Sequence, residues 1–166
     1  MPKSILSGAV LLAALLMITN GTLAAADRGE GKRASHPRVI HLVERIAEAP
    51  TFDDGGAPGP GVGDRLIFTS DLFDAKDRKV GRDGADCVVV RLDPSQPDPT
   101  EQQIVQCVIT VELADGQITF QGLAQGGQNH FAITGGTGAY RRARGEAFAD
   151  DRVFLQEVDI TITLLR

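Results

Sequence analysis

The segment GGTG, residues 135–138, has the residue types of a loop that binds the pyrophosphate of a dinucleotide. Such a loop needs a strand before it, a helix after it, and a further strand with an acidic residue about 20 positions on. The segment lies late in the chain, and residues 139–148, which follow it, include Gly145 and show no helical periodicity. We therefore interpret the cluster as a tight turn between two strands, where glycine adopts positive φ without a steric clash.

The two cysteines, Cys87 and Cys107, are the next candidates for chemistry. Two predicted strands, residues 86–92 and 103–113, lie on either side of a proline-rich loop. If these strands form a hairpin centred near Pro97, the cysteines lie directly opposite each other, close to the separation that a disulfide needs. The pattern predicts a disulfide bond, and the alternative is a pair of free buried thiols.

Motifs for other site chemistry are missing from the sequence. The three histidines, His36, His41 and His130, lie far apart, and the cysteines lack the spacing of a zinc-binding pair. The sequence contains no nucleophile elbow and no Ser-His-Asp order. We therefore predict neither a metal site nor a hydrolase triad.

Residues 1–26 have the pattern of a secretory signal peptide. Lys3 precedes an apolar run over residues 5–18, and the alanines at 24–26 provide the small residues of a cleavage site. A membrane anchor is the alternative, but about 14 apolar residues fall short of the roughly 20 that span a bilayer. We predict cleavage near Ala26 and a secreted protein with no stable membrane anchor.

The remaining chain divides into a charged, flexible arm over residues 27–37 and one domain over residues 38–166. Cleavage would remove one of 17 basic residues and none of 22 acidic residues, which changes the net charge from −5 to −6. A nucleic-acid-binding surface needs clustered Lys and Arg. We therefore expect no nucleic-acid partner.

Short apolar runs separated by turn residues recur from residue 38 onward, and no convincing helical stripe appears among them. Two runs alternate with the period of two that marks a half-buried strand, with one apolar face formed by Val105, Cys107, Ile109, Val111 and Leu113, and the other by Val158, Ile160, Ile162 and Leu164. We predict eight strands, over residues 38–46, 64–74, 86–92, 103–113, 117–123, 129–134, 140–148 and 158–164. Eight strands with short turns favour a sandwich or a closed barrel. A closed barrel has no sheet edges and has room for interior side chains or one small ligand.

Four segments resemble the allene oxide cyclase barrel superfamily, which includes plant allene oxide cyclases and dirigent proteins. They are VIHLVERIAEAP (39–50), GDRLIFTSDLFDAKDRKVGRDGADCVVV (63–90), ADGQITFQG (114–122) and HFAITGGTGAYRRARG (130–145). Their order and spacing carry the resemblance, which covers nearly all of residues 39–165. It implies an all-β fold, an eight-stranded antiparallel barrel with an apolar cavity, usually assembled as a homo-trimer.

The resemblance also implies chemistry inside the cavity. Cyclases of this family bind a fatty-acid-derived epoxide and direct its ring closure with a carboxylate and an ordered water, without a cofactor. Dirigent proteins hold phenolic radicals and direct their coupling, and both activities depend on positioning. We therefore expect a small apolar ligand, no cofactor, and a cofactor-free isomerase or cyclase. The alternatives are a dirigent-like, non-catalytic stereo-directing protein and a barrel filled by its own side chains, which would have no ligand site.

The same resemblance supplies the candidate site residues. The catalytic glutamate of the family aligns with His41, whose imidazole could serve as an acid or base if it faces the cavity. The alternative is that His41 lies near a barrel rim or donates one hydrogen bond in the core. The two water-binding asparagines align with Val43 and Ser70. Because these polar positions differ, the resemblance does not imply allene oxide cyclase activity itself.

Further candidates line the expected cavity. Pro50, Phe68 and Cys87 match pocket-lining positions of the cyclases. Arg91 shares the face of Cys87 by strand alternation and could bind a ligand carboxylate or phenolate. The alternative is an arginine at the rim with its head in solvent. Glu44 matches an acidic residue of the cyclase strand but is expected one residue out of phase with the cavity.

Overall fold

The computed structural model describes residues 37–56, 58–98, 101–153 and 156–165. The predicted signal peptide and all but the last residue of the predicted arm lie outside the described residues. Within these ranges, no helix has the length and apolar character needed to cross a membrane.

The described residues form nine β-strands and one short 3₁₀ turn, and they include no α-helix. The strands are β1 (Arg38–Ile46), β2 (Thr51–Asp53), β3 (Arg65–Phe73), β4 (Lys79–Leu92), β5 (Gln103–Leu113), β6 (Gly116–Ala124), β7 (Gln128–Gly136), β8 (Gly145–Val153) and β9 (Glu157–Leu164). The antiparallel sheet runs in the order β1-β9-β8-β7-β6-β5-β4-β3 and closes where β1 pairs with β3. The structure thus confirms the closed eight-stranded barrel, and the three residues of β2 add a short ninth strand beside β3.

One half of the barrel interior is packed with the chain's own side chains. Leu72, Val111, Ile118 and Ile162 come from four different strands, and each is completely buried. Burial of one such side chain contributes about 1.5–3 kcal/mol. The apolar faces predicted for β5 and β9 are confirmed as lumen faces. The packed side chains stabilise the barrel around the part of the lumen that they leave unfilled.

Two strands begin several residues away from their predicted starts, and one strand was not predicted. β4 begins at Lys79 rather than at residue 86, because Gly81, Gly84 and the buried Asp83 break the apolar alternation that identifies a strand. The strand predicted over residues 140–148 is displaced to β8. The short β2 was not predicted.

The glycine cluster is a contact between two turns. After β7 the chain forms the 3₁₀ turn Gly138–Tyr140, where a tight hairpin turn was expected. The amide of Ala139 donates a hydrogen bond to the carbonyl oxygen of Asp115 at 2.8 Å. A Cβ on Gly138, whose φ is +55°, would lie 2.3 Å from that same oxygen. Glycine is therefore required at position 138 for the backbones of these two turns to come into contact. The element that follows the cluster is the strand β8 and not an α-helix.

Candidate functional site: an acidic lumen

An apolar cavity occupies the other half of the barrel and has a volume of about 340 Å³. It lies toward the ends of β4 and β6 and the starts of β5 and β7, and its walls include Leu66, Phe68, Val105, Ile109, Phe131 and Val158. Gln103, Gln125 and Asn129 add polar groups at these strand ends. Small-molecule sites range from roughly 300 to 1,000 Å³, so the cavity has the size of a site for a small ligand.

A buried carboxyl group faces this cavity. Glu44 of β1 is 7% exposed and lines the cavity wall. The Oγ of Ser70 on β3 donates a hydrogen bond to Glu44 Oε1 at 2.8 Å. Burial, followed by the nearby charge of Asp83, raises the pKa of Glu44 to about 8, and the hydrogen bond from Ser70 opposes this shift. Glu44 can therefore accept or donate a proton near neutral pH.

A second buried acid lies beside this pair. Asp83 of β4 is opposite Ser70 in the β3–β4 register and is 4% exposed. Neither of its carboxylate oxygens has a hydrogen-bond partner among the described residues. The Ser70 hydroxyl and amide lower its pKa, but the one hydroxyl proton points to Glu44. Burial is the dominant effect and raises the pKa of Asp83 to about 6.

Asp151 of β8 is a third acid in the lumen and lines the cavity. Burial and the neighbouring Asp150 raise its pKa, whereas a hydrogen bond with the backbone of Gly127 lowers it. In the part of the chain that the structure describes, no group of three or more His, Cys, Asp or Glu side chains is arranged to hold a metal ion.

Three of the predicted site residues lie in or beside the cavity. Phe68 and Cys87 line it. Ser70 is buried behind the wall, where it holds Glu44.

The expectation that His41 and Val43 face the lumen is wrong. Both lie in a groove on the outer surface of the barrel. His41 is exposed, and its Nδ1 is 3.1 Å from Thr161 Oγ1 on β9. The expected phase of β1 is therefore off by one residue, and Glu44 occupies the lumen position. A catalytic role for His41 required a lumen position, so we do not propose it.

Arg91 and Pro50 are also outside the set of residues that line the cavity. A register shift between Val89 and Arg91 interrupts the strand alternation that was expected to place Arg91 beside Cys87. Arg91 is exposed as a result. Pro50 precedes β2 and is half-buried.

The predicted disulfide is present in the cavity wall. Cys87 and Cys107 are directly opposite in the β4–β5 pair and are bonded to each other. Both line the cavity, so neither is a free thiol there.

Loss of this disulfide should destabilise the barrel by about 3 kcal/mol, because the bond closes a loop with a sequence separation of 20 residues. Urea unfolding of the oxidised protein, with and without dithiothreitol, measures the change. The free energy of unfolding of the double variant Cys87→Ala/Cys107→Ala should equal that of the reduced protein and should not change when dithiothreitol is added. Detection of two free thiols in the native protein would contradict the bond.

The fold and the cavity define the chain as a closed antiparallel barrel protein with an acidic internal site. It belongs to the allene oxide cyclase barrel like domain family, whose model matches residues 46–164. No curated protein matches the sequence.

Several solved structures are similar to this chain. Pyocyanin demethylase is 26% identical with a TM-score of 0.64, and the match covers 76% of this chain and 99% of that one. AbnU, an exo-specific intermolecular Diels-Alderase, is 16% identical with a TM-score of 0.61, covering 78% and 98%. The Diels-Alderase AbmU from Streptomyces koyangensis is 15% identical with a TM-score of 0.57, covering 86% and 74%. The two Diels-Alderases support the fold alone.

Proposed function

We propose that this barrel binds a small hydrophobic molecule in its open half and isomerises or cyclises it without a cofactor, with Glu44 transferring the proton. The observation that carries the proposal is a buried carboxyl group, poised near neutral pH, in the wall of an apolar cavity. The similar pyocyanin demethylase, at 26% identity, supports chemistry on a small organic molecule.

The surroundings of Glu44 suit proton transfer. Ser70 fixes Oε1, whereas Oε2 accepts no hydrogen bond from the described residues. The walls are mostly apolar, so a bound molecule that displaces water from them would strengthen the electrostatic effect of the carboxyl group. A proton removed from one carbon and returned at another leaves Glu44 unchanged, so the reaction consumes no other reactant.

Identification of the molecule that the protein retains tests the binding step. The protein is purified without detergent and extracted with organic solvent, and the extract is analysed by mass spectrometry. Ala149, in the cavity wall on β8, is replaced with tryptophan to fill the lumen. We expect Ala149→Trp to lose the ligand and Ala132→Trp, on an exposed position of β7, to keep it. Equal retention by both variants would place the ligand outside the lumen.

Deuterium incorporation tests the chemical step. The retained molecule is incubated with the protein in deuterium oxide, and we expect the product to gain deuterium at carbon. The Glu44→Gln variant should bind the molecule and incorporate none. Retention of a ligand that never exchanges would support the non-catalytic, stereo-directing alternative.

We also propose that the protein is exported. The signal-like pattern of residues 1–26 and the Cys87–Cys107 disulfide support this proposal, because disulfides persist in oxidising compartments. Fractionation of cells that express the full chain, with N-terminal sequencing of the exported form, should locate a cut near Ala26. An uncleaved protein confined to the cytoplasm would contradict export.

A further inference from the structure

The charges that face the cavity are of one sign. Glu44 and Asp151 line it, and Asp83 is opposite Ser70 in the β3–β4 pair. Among the described residues, no Lys, Arg or His lines the cavity. The lumen is therefore acidic.

The cations near these strands are on the outer face, where they have acidic partners. Arg45 is 3.0 Å from Glu157, and Arg82 is 2.5 Å from Glu112. These side chains are at least partly exposed to solvent, which weakens their effect on buried charges. Among the described residues that line the cavity, no cationic side chain is therefore available to pair with the lumen acids.

Acceptor atoms of the buried acids remain unpaired. Glu44 is more than nine-tenths buried, and its Oε2 accepts no hydrogen bond from the described residues. Both oxygens of the buried Asp83 are equally unpaired within the described chain. Buried carboxyl groups without donors are costly, and a donor with a positive charge reduces that cost most effectively.

The cavity walls also contain aromatic rings. Phe52, Phe68 and Phe131 line the cavity. The face of an aromatic ring attracts a cation, and this attraction increases when water is excluded. Acids and rings in one small cavity thus favour the same class of molecule.

We infer that the lumen selects a positively charged ligand, namely a compact apolar molecule that carries a basic or quaternary nitrogen. This inference rests on the proposed function and specifies its ligand class. The nitrogen lies near Glu44, and the hydrocarbon part of the molecule contacts the phenylalanine rings.

Binding of a cation should release a proton from Glu44. Burial raises the pKa of Glu44 most, the charges of Asp83 and Asp151 raise it further, and the hydrogen bond from Ser70 of β3 lowers it. On β9, the residues paired with Leu42 and Glu44 are Ile160 and Val158, which carry no charge. A bound cation favours the ionised carboxylate, so cation affinity should rise as the pH approaches and passes the pKa of Glu44.

Three two-ring probes of similar shape test the inference by equilibrium dialysis: N-methylquinolinium, neutral 1-methylnaphthalene and anionic 1-naphthoate. At about pH 8.5, we expect the native protein to bind N-methylquinolinium about tenfold more tightly than 1-methylnaphthalene, and 1-naphthoate least tightly. Because this cation is permanent, lowering the pH to about 6.5 should weaken its binding on the order of tenfold, mainly through protonation of Glu44. The affinity for 1-methylnaphthalene should not weaken.

The variants separate the inference from the proposed function. Glu44→Gln should remove most of the preference for the cation and its pH dependence, whereas Glu146→Gln, on an exposed position of β8, should retain both. If 1-methylnaphthalene or 1-naphthoate binds as tightly as the cation and Ala149→Trp abolishes this binding, the cation inference is wrong and lumen binding stands. If Ala149→Trp changes the binding of none of the probes, both the cation inference and the proposed lumen site are wrong.

Discussion

The Glu44→Gln variant should be more stable than the native protein at about pH 8, by on the order of 4 kcal/mol, and the two should converge near pH 4. The pKa of Glu44 is raised from 4.5 to about 8, chiefly by burial. Between these pH values the folded protein holds a proton that the unfolded chain releases. The stability that this group contributes is therefore complete below about pH 4.5 and is lost as the pH rises toward 8. Glutamine imitates the protonated carboxyl group and keeps an oxygen that accepts from Ser70.

Urea unfolding of both proteins, followed by circular dichroism from about pH 4 to 9, measures this difference. Carboxyl groups whose pKa is lowered, such as Asp74 at about 2, are common to both proteins and cancel. Glu146→Gln is the matched control, because its carboxyl group is exposed, and its stability should follow that of the native protein. Parallel curves for Glu44→Gln and the native protein across this pH range would show that Glu44 is not buried in a costly ionised form.

The same burial explains why the site was harder to predict than the fold. Strand alternation identifies a strand when one face is wholly apolar, and β5 and β9 satisfy that condition. Their apolar faces predicted the barrel, and the opposed positions of Cys87 and Cys107 in the hairpin of strands 86–92 and 103–113 predicted their bond. These features depend on neighbours that are close in sequence or follow a strict pattern.

For β1, strand alternation did not show clearly which residues face the lumen. Its outward positions include the apolar Val39 and Val43, and its lumen face is interrupted by Glu44. A carboxylate in a strand normally faces solvent, because burial of a charge is costly. The family alignment placed His41 inside and therefore Glu44 outside, in agreement with that rule. The pairing of β1 with β3 and β9, which joins residues far apart in sequence, reverses this assignment.

Asp83 was missed for a related reason. It follows Gly81 and precedes Gly84, so the segment has the composition of a turn. In the barrel it is part of β4 and is buried opposite Ser70. Residues that violate local rules are often those at functional sites. A signal was present in the sequence, since Leu42 and Ile46 stand two residues on either side of Glu44 and mark its face as apolar.

The second large effect is expected at Gly145, where β8 begins. The Gly145→Ala substitution should reduce the free energy of unfolding by about 4 kcal/mol or more. Gly145 has a φ of +136°, a conformation that side chains rarely adopt. Its added Cβ would also lie 1.9 Å from the carbonyl oxygen of Thr163 on β9, and a backbone oxygen within a strand pair cannot move away alone.

The matched control is Gly84→Ala, also on a strand of the barrel. Its φ is not positive, and a Cβ there would have no neighbour within 4 Å. Alanine restricts the unfolded chain more than glycine does, so this variant should be neutral or more stable by about 0.4–1 kcal/mol. Urea unfolding of the two variants compares the same chemical change in a crowded and an open position. A small domain has roughly 5–15 kcal/mol of stability in total, so Gly145→Ala should remove a large part of it. Equal stability of the two variants would mean that β8 and β9 do not approach as closely at Gly145 as the structure has them. Other contacts would then have to support the closure of the barrel where these two strands pair.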